Sequence, residues 1–397
     1  MLDSKFSPWP SFTDEEINSV KDVLISNKVN YWTGDECRKF EKEFAAWSDS
    51  KYAVSLANGT LALDIAFKAL EIGEGDEVIV TSRSYISSVT SIINSNAKPI
   101  FVDIDSESQN ITPRNISAAI TSKTKAIVCV HLAGWPCEMN EIKSIANTHN
   151  LFIIEDCAQA HGAKYKGVSV GSIGDIGCWS FCQDKIMTTG GEGGMVTTSD
   201  KSLWLKMWEY KDHGKSYEAV YEREHPQGFK WLHESFGTNW RMTEMQGAIG
   251  RIQLNRMSEW TRLRNRNADI LTKAFLKFAN KDGIIRIPQL NCDEGSTHAY
   301  YKYYVFVNPS ACKKNWDRDR IISEISSEGV PCMHGSCSEI YQEKAFDNTE
   351  YRPNKRLPVA KQLGETSIVF LVHPTLKEDE MKNISKVATS IFKRALV

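Results

Sequence analysis

Four runs of uninterrupted apolar residues constrain this chain more than any other feature. They are Glu77-Val78-Ile79-Val80, Pro99-Ile100-Phe101-Val102-Asp103, Ala126-Ile127-Val128-Cys129-Val130 and Leu151-Phe152-Ile153-Ile154-Glu155. A strand that is apolar on both faces must be covered on both faces. Helical stretches lie between the runs, among them Pro113 to Ile120 behind the cap residue Thr112. The alternation predicts βαβ units: an α/β fold with a mainly parallel sheet and helices on both sides. In such a sheet the ligand crevice lies where loops leave the carboxyl ends of the strands.

Other elements fall around this frame. Thr13-Asp14-Glu15-Glu16 is a capping box ahead of Ile17, Val20, Leu24 and Ile25. Asn58-Gly59-Thr60 opens a helix from Leu61 to Leu70 that is apolar nearly all round, apart from the i,i+4 pair Asp64 and Lys68, and is expected to be deeply buried. Near residue 255 the pattern changes to a long charged helix, Arg251 to Phe278. After it, a strand at Tyr303-Tyr304-Val305-Phe306-Val307 mixes with helices at Asp317 to Glu328 and Glu378 to Leu396. The expected organisation is a large domain over 1–255 and a smaller α+β domain over 256–397, with the helix at 13–26 packing on the smaller one.

Composition narrows the class. The chain has 397 residues, with 48 Lys and Arg against 50 Asp and Glu, for a net charge of −2. That balance gives no drive toward a polyphosphate backbone, so nucleic acid is not the expected partner. Hydrophobic residues make up 41%, which suits a packed core and argues against disorder. No apolar run is long enough to cross a bilayer. The opening segment lacks the basic-then-apolar order of an export signal, so the ten cysteines are expected to be reduced thiols in a cytoplasmic protein.

Three segments carry residue types suited to chemistry. In Gly177-Cys178-Trp179-Ser180-Phe181-Cys182-Gln183-Asp184-Lys185, a lysine precedes the glycine cluster Gly190-Gly191-Glu192-Gly193-Gly194. Glycines allow close backbone approach to a ligand, and a lysine in a partly dry pocket can condense with a carbonyl. The alternative is a surface lysine before a hairpin. In Glu155-Asp156-Cys157-Ala158-Gln159-Ala160-His161-Gly162, a carboxylate ends a buried strand and needs a cation or strong donors, unless it only caps the next helix. Neighbouring Glu155 and Asp156 point to opposite sides, which argues against a dyad. At Ala57-Asn58-Gly59-Thr60, free amides and the helix dipole can hold a phosphate, or the segment is an ordinary cap.

In this order the three features resemble the fold-type I pyridoxal-phosphate enzymes. The chain is most similar to the DegT/DnrJ/EryC1/StrS sugar aminotransferases, over nearly its whole length. The blocks that carry the resemblance are Asn58 to Leu63, Phe101 to Ile104, Glu155 to Gly162, Ser180-Phe181 with Lys185 and Gly190 to Gly194, and Gly237 to Met242. The resemblance implies pyridoxal 5'-phosphate as cofactor. Lys185 would attach it and later move the proton between carbon atoms. Asp156 would pair with the protonated ring nitrogen, an attraction on the order of 5 kcal/mol before desolvation. Gln159 would lie by the ring hydroxyl and Tyr85 on the ring face. Gly59, Thr60 and Ser180 would hold the phosphate. Asn239 would reach the phosphate site of a neighbouring subunit, which implies a homodimer with shared sites.

The implied reaction moves an amino group from L-glutamate to a carbonyl-bearing sugar used in bacterial surface polysaccharide or lipopolysaccharide. A related branch has histidine at the lysine position and performs dehydration; Lys185 favours transamination. Most of the family aminates nucleotide-linked 4-keto-6-deoxy sugars. The segments Phe229 to Asn239 and Gly335 to Tyr341 look more like the branch that forms 8-amino-3,8-dideoxy-D-manno-octulosonate. His334 and Ser336 lie where the family keeps its acceptor pocket. Cys332, His334 and Cys337 are too few for a zinc site, so no metal is expected. A non-catalytic binding or regulatory protein on the same fold is the competing class. A Rossmann dehydrogenase ranks last, because no G-x-G-x-x-G follows the first strand.

Overall fold

The computed structural model describes residues 6–290 and 295–397; the first five residues, part of the segment read for an export signal, lie outside it. The strands are β1 (Tyr52–Leu56), β2 (Glu77–Thr81), β3 (Lys98–Val102), β4 (Thr124–Val130), β5 (Phe152–Asp156), β6 (Lys164–Tyr165), β7 (Val168–Ser169), β8 (Ile176–Ser180), β9 (Gly194–Thr198), β10 (Ile285–Arg286), β11 (Tyr303–Val307), β12 (Cys332–Met333) and β13 (Ser367–Phe370). The helices are α1 (Asp14–Ser26), α2 (Glu36–Trp47), α3 (Gly59–Ala69), α4 (Ser87–Asn94), α5 (Pro113–Ala119), α6 (Met139–His149), α7 (Lys201–Tyr210), α8 (Tyr217–Tyr221), α9 (Glu244–Phe275), α10 (Arg318–Ser327), α11 (Pro358–Thr366) and α12 (Glu378–Ala395).

The main sheet has the order β1-β9-β8-β5-β4-β2-β3. Strands β3, β2, β4, β5 and β8 pair in parallel, and β9 runs antiparallel to both of its neighbours. Alternation along each strand sorts the apolar side chains into two layers. Val78, Val80, Val128 and Ile154 face the cluster that includes Ala62, Ile65 and Phe67 of α3. Ile79, Ile127, Cys129 and Ile153 face the cluster with Ile116 of α5 and Ile142 of α6. Each fully buried side chain of this kind contributes roughly 1.5–3 kcal/mol relative to exposure. The expected α/β architecture is what forms.

Helix α3 is buried as expected, but Asp64 and Lys68 form no ion pair: the ammonium of Lys68 lies 5.7 Å from the ring centre of Tyr210. The long helix starts seven residues before Arg251, because Thr243 and Gln246 make a capping box that the hydrophobic pattern does not signal. Its first half contributes Leu254, Met257 and Trp260 to a cluster with Trp179 and Phe181. Its second half contributes Ala268, Leu271 and Phe275 to the core under the antiparallel sheet β10-β11-β13-β12. Helix α1 packs on α9 through an ion pair of Glu16 with Arg256 at 2.7 Å. The segment before α1 reaches the smaller unit, where Ser7 N donates to Glu380 Oε1 at 2.6 Å. The apolar side chains Ile17, Leu24 and Ile25 of α1 remain exposed.

Candidate active site

The carboxyl ends of β2, β4, β5 and β8 open into one cleft, with a volume of about 1060 Å³, between the main sheet and the antiparallel sheet. Gly59, Thr60, Tyr85, Asp156, Gln159, Ser180, Lys185 and Ser336 all line it. The strand pairing explains why. Asp156 is the last residue of β5, level with Val130 of β4 and Cys178 of β8. Lys185 follows β8 by one turn, where its N–H donates to Cys182 O at 3.0 Å.

The sheet side of the cleft is tightly held. Asn58 caps α3, its Oδ1 accepting from Leu61 N at 3.0 Å. The amides of Gly59 and Thr60 then open the helix with no acceptor inside it. A Cβ on Gly59 would lie 2.5 Å from Ser180 Cβ, so only glycine lets the helix start against that strand. Asp156 Oδ2 accepts from Ser88 Oγ at 2.7 Å, and Ser88 Oγ lies 2.8 Å from Ser84 Oγ. Asp156 Oδ1 accepts from Ala158 N at 3.1 Å. Gln159 Oε1 accepts from Ala133 N at 2.8 Å, which leaves its NH2 for the cleft. Ala133 holds a left-handed backbone (φ 56°), a strained conformation for alanine that this bond helps to fix. Tyr85 is 69% exposed, a ring with an open face over the cleft.

Glu155 points the other way, as the alternation predicts. Its Oε1 accepts from Ile173 N and Gly174 N, and its Oε2 accepts from Gly171 N and lies 2.9 Å from His131 Nε2. Burial opposes ionisation of Glu155, yet His131 and the glycine amides outweigh it and hold the carboxyl below its usual range. His131 Nδ1 accepts from Cys137 N at 3.0 Å. With their lone pairs so used, His131, Glu155 and nearby Cys157 form a structural network rather than a metal site.

The opposite wall comes from the smaller unit. The hydroxyl of Tyr301 donates to Asp184. Burial pushes the Asp184 carboxyl up, but Lys185, that hydroxyl and Lys302 outweigh burial and keep it below the ordinary range. The ammonium groups of Lys185 and Lys302 lie 5.3 and 4.7 Å from the same Tyr301 ring centre. Burial, with Arg264 and Lys185 adding to it against Asp184, brings Lys302 down to about 8. The backbone of Lys185 is held from outside, where Trp9 Nε1 donates to its carbonyl at 2.8 Å.

Two expected site residues stand elsewhere. His334 is exposed outside the cleft, its Nε2 3.0 Å from Asp319 Oδ1. Asn239 is exposed beside Asp212, away from the cleft of its own chain. Cys332, His334 and Cys337 do not converge: Cys332 Sγ meets Ile322 O, and Cys337 Sγ meets Glu343 Oε1. Sequence reading missed Ser88, Tyr301 and Lys302. The signal for Lys302 was a lone cation in the aromatic run Tyr300 to Tyr304, sharing the parity of Tyr304 on entry to β11.

Residues 10–389 match the DegT/DnrJ/EryC1/StrS aminotransferase family. This chain belongs to that family. Among solved structures, an aminotransferase from Psychrobacter cryohalolentis is similar, at 62% identity and a TM-score of 0.97, over 98% of this chain and 99% of that one. The GDP-perosamine synthase of Escherichia coli O157:H7 is 44% identical over 376 residues, 94% of each chain. The dTDP-3-amino-3,6-dideoxy-alpha-D-galactopyranose transaminase of Aneurinibacillus thermoaerophilus is 32% identical over 356 residues, 89% of each chain. The aminotransferase is thus a pyridoxal-phosphate-dependent sugar transaminase of the fold-type I class. Its cleft fits that cofactor: a helix start that a Cβ on Gly59 would block, a carboxylate oriented by only two donors, an open aromatic face and a lysine on one rim. The non-catalytic alternative gives way to an enzyme.

Proposed function

We propose that the enzyme moves the amino group of L-glutamate to a nucleotide-linked 4-keto-6-deoxy sugar, in the cytoplasm, for a bacterial surface polysaccharide. The observation that carries this reading is the convergence of Lys185, Asp156, Gly59 and Thr60 on one cleft. Bound pyridoxal phosphate supplies an aldehyde to take up the amino group and a ring to accept electrons. The amides of Gly59 and Thr60, with Ser180 Oγ, hold its phosphate. Asp156, fixed by Ser88 and Ala158, keeps the proton on the ring nitrogen. Tyr85 covers the ring. Lys185 Nζ, on the rim of the cleft, would be the base that takes the proton from the amine-bearing carbon of the donor and the acid that gives it back to the carbon on the other side of that nitrogen.

Two features support a homodimer. Phe229, Trp231 and Phe236 are 76%, 80% and 100% exposed, on the segment that leads to Asn239. An apolar surface of this kind is suited to burial against a second copy. Asn239, outside its own cleft, would then complete the partner's phosphate site. The apolar face of α1 is a second surface of the same kind.

The relatives named for GDP- and dTDP-linked amino sugars favour a nucleotide-linked acceptor over the octulosonate that the segments around residues 229–239 and 335–341 suggest. The test is to incubate the cofactor-loaded enzyme with L-glutamate and each acceptor, and to follow amination by mass spectrometry. Amination of a nucleotide-linked keto sugar is expected. Amination of the octulosonate alone would overturn the acceptor assignment, and amination of neither would overturn the reading.

A further inference from the structure

We propose that Lys302 receives the carboxylate next to the amine of the donor and thereby selects an amino acid as the donor. The inference rests on the aminotransferase reading above and deepens it.

Among the described residues that line the cleft, Lys185 and Lys302 are the only cations. Lys185 is committed to the cofactor. Lys302 is half-buried, rests on the Tyr301 ring and forms no salt bridge with a described residue. Asp184, whose charge acts on it, is already engaged by the Tyr301 hydroxyl.

The wall behind it adds to the positive field. Arg83 is wholly buried; it donates from Nη1 to Ser338 Oγ at 2.6 Å and from Nη2 to Ser367 Oγ at 3.0 Å, and its Nε has no partner. Its guanidinium lies 5.6 Å from the ring centre of Tyr304, which lines the cleft. Arg264, also buried, donates to the carbonyls of Tyr300 and Tyr301, and its Nε has no partner. Among the described residues, neither arginine pairs with a carboxylate. Buried cations without counter-ions are costly, and an anion entering the cleft relieves that cost.

Position decides which anion. Lys185 and Lys302 share one tyrosine ring, so Lys302 serves a group close to the nitrogen being exchanged. In an amino acid donor, the carboxyl carbon is bonded to the carbon that bears that nitrogen. The phosphates of a nucleotide sugar lie a sugar ring away from the reacting carbon. A lysine held near its own titration range by burial and by neighbouring cations is stabilised in its charged form when a carboxylate arrives.

The experiment is calorimetric titration of the cofactor-loaded enzyme with glutarate, a dicarboxylate with no amine, and separately with GDP. Lys302→Met is expected to weaken glutarate binding at least about tenfold, with Lys302→Arg within about threefold of wild type and GDP binding unchanged. If the Met variant does not fold, Lys302→Gln replaces it. Three outcomes overturn the proposal: equal glutarate affinity in the Met or Gln variant, loss of GDP binding in step with glutarate, or no glutarate binding by wild type. Failure of L-glutamate to change the visible absorbance of the wild-type cofactor would instead sink the transamination reading, and the glutarate result would remain readable.

Discussion

The two sides of the cleft solve different problems. On the sheet side, Asp156 has Ser88 and Ala158 on its two oxygens, Gln159 is fixed by Ala133, and Gly59 is packed against Ser180. This side is built in advance for one ligand that stays. On the opposite wall, Lys302, Arg83 and Arg264 have no carboxylate in salt-bridge contact among the described residues. An anion arriving there adds to the counter-charge that Asp184 supplies to Lys302, and can leave again. Lys211 sharpens the contrast. Burial brings it down to about 8 as well, and its ammonium sits 3.4 Å from the ring centre of Tyr31. Its field is offset by Glu41 and Asp212, and it does not line the cleft. Both lysines have carboxylates nearby and neither forms a salt bridge among the described residues; what separates them is that Lys302 lines the cleft, where a substrate can reach it.

This contrast can be broken at several points. The largest effect is expected from Asp156→Asn, which removes the charge that holds the ring proton. Steady-state kinetics should show kcat/KM falling about 10²–10³-fold, less than the full Coulomb term because the carboxylate no longer has to be desolvated. An unchanged kcat/KM would mean that the sheet side does not activate the cofactor. Gly59→Val forces a Cβ into Ser180. At an overpacking cost of about 1–3 kcal/mol, cofactor affinity measured by equilibrium dialysis should fall about 5–150-fold. Ser88→Ala removes one charge-assisted bond from Asp156. A loss of about tenfold in kcat, with cofactor still bound, is expected.

The smallest effect sharpens the other wall. Lys302 faces Asp184, Arg264, Lys185 and the Tyr301 ring, and its free-enzyme value is about 8. The ammonium is charged below that value and is lost as pH rises through it. Glutarate binding should therefore be nearly flat below pH about 7 and weaken about fourfold by pH about 8.5. In Lys302→Arg the slope should vanish, since a guanidinium keeps its charge. A wild-type slope of the opposite sign would contradict the assignment.

Much of the sheet side was legible in the sequence, because it follows from local rules. A both-face apolar strand fixes its neighbours, so a carboxylate at the end of Phe152–Asp156 must meet the crevice, and a capped helix start must offer its amides. The opposite wall was less legible. Tyr301 and Lys302 enter the cleft only because β11 pairs with β13 and packs Tyr304 and Phe306 toward Ile104 and Ala133 of the large unit, a long-range contact without a local signal. The stretch Cys332 to Cys337 shows the same limit from the other side. The resemblance placed His334 with Ser336 in the acceptor pocket, yet the backbone turns Cys332 inward and leaves His334 on the surface beside Asp319. The long helix began earlier than its apolar pattern, because a polar capping box rather than a hydrophobic residue sets its start.

The central claim concerns one amine. Borohydride reduction of the cofactor-loaded enzyme, followed by proteolysis and peptide mass spectrometry, locates the covalent attachment. The account predicts a pyridoxyl adduct on the peptide that contains Lys185. An adduct on Lys302, or none in cofactor-saturated protein, would contradict it.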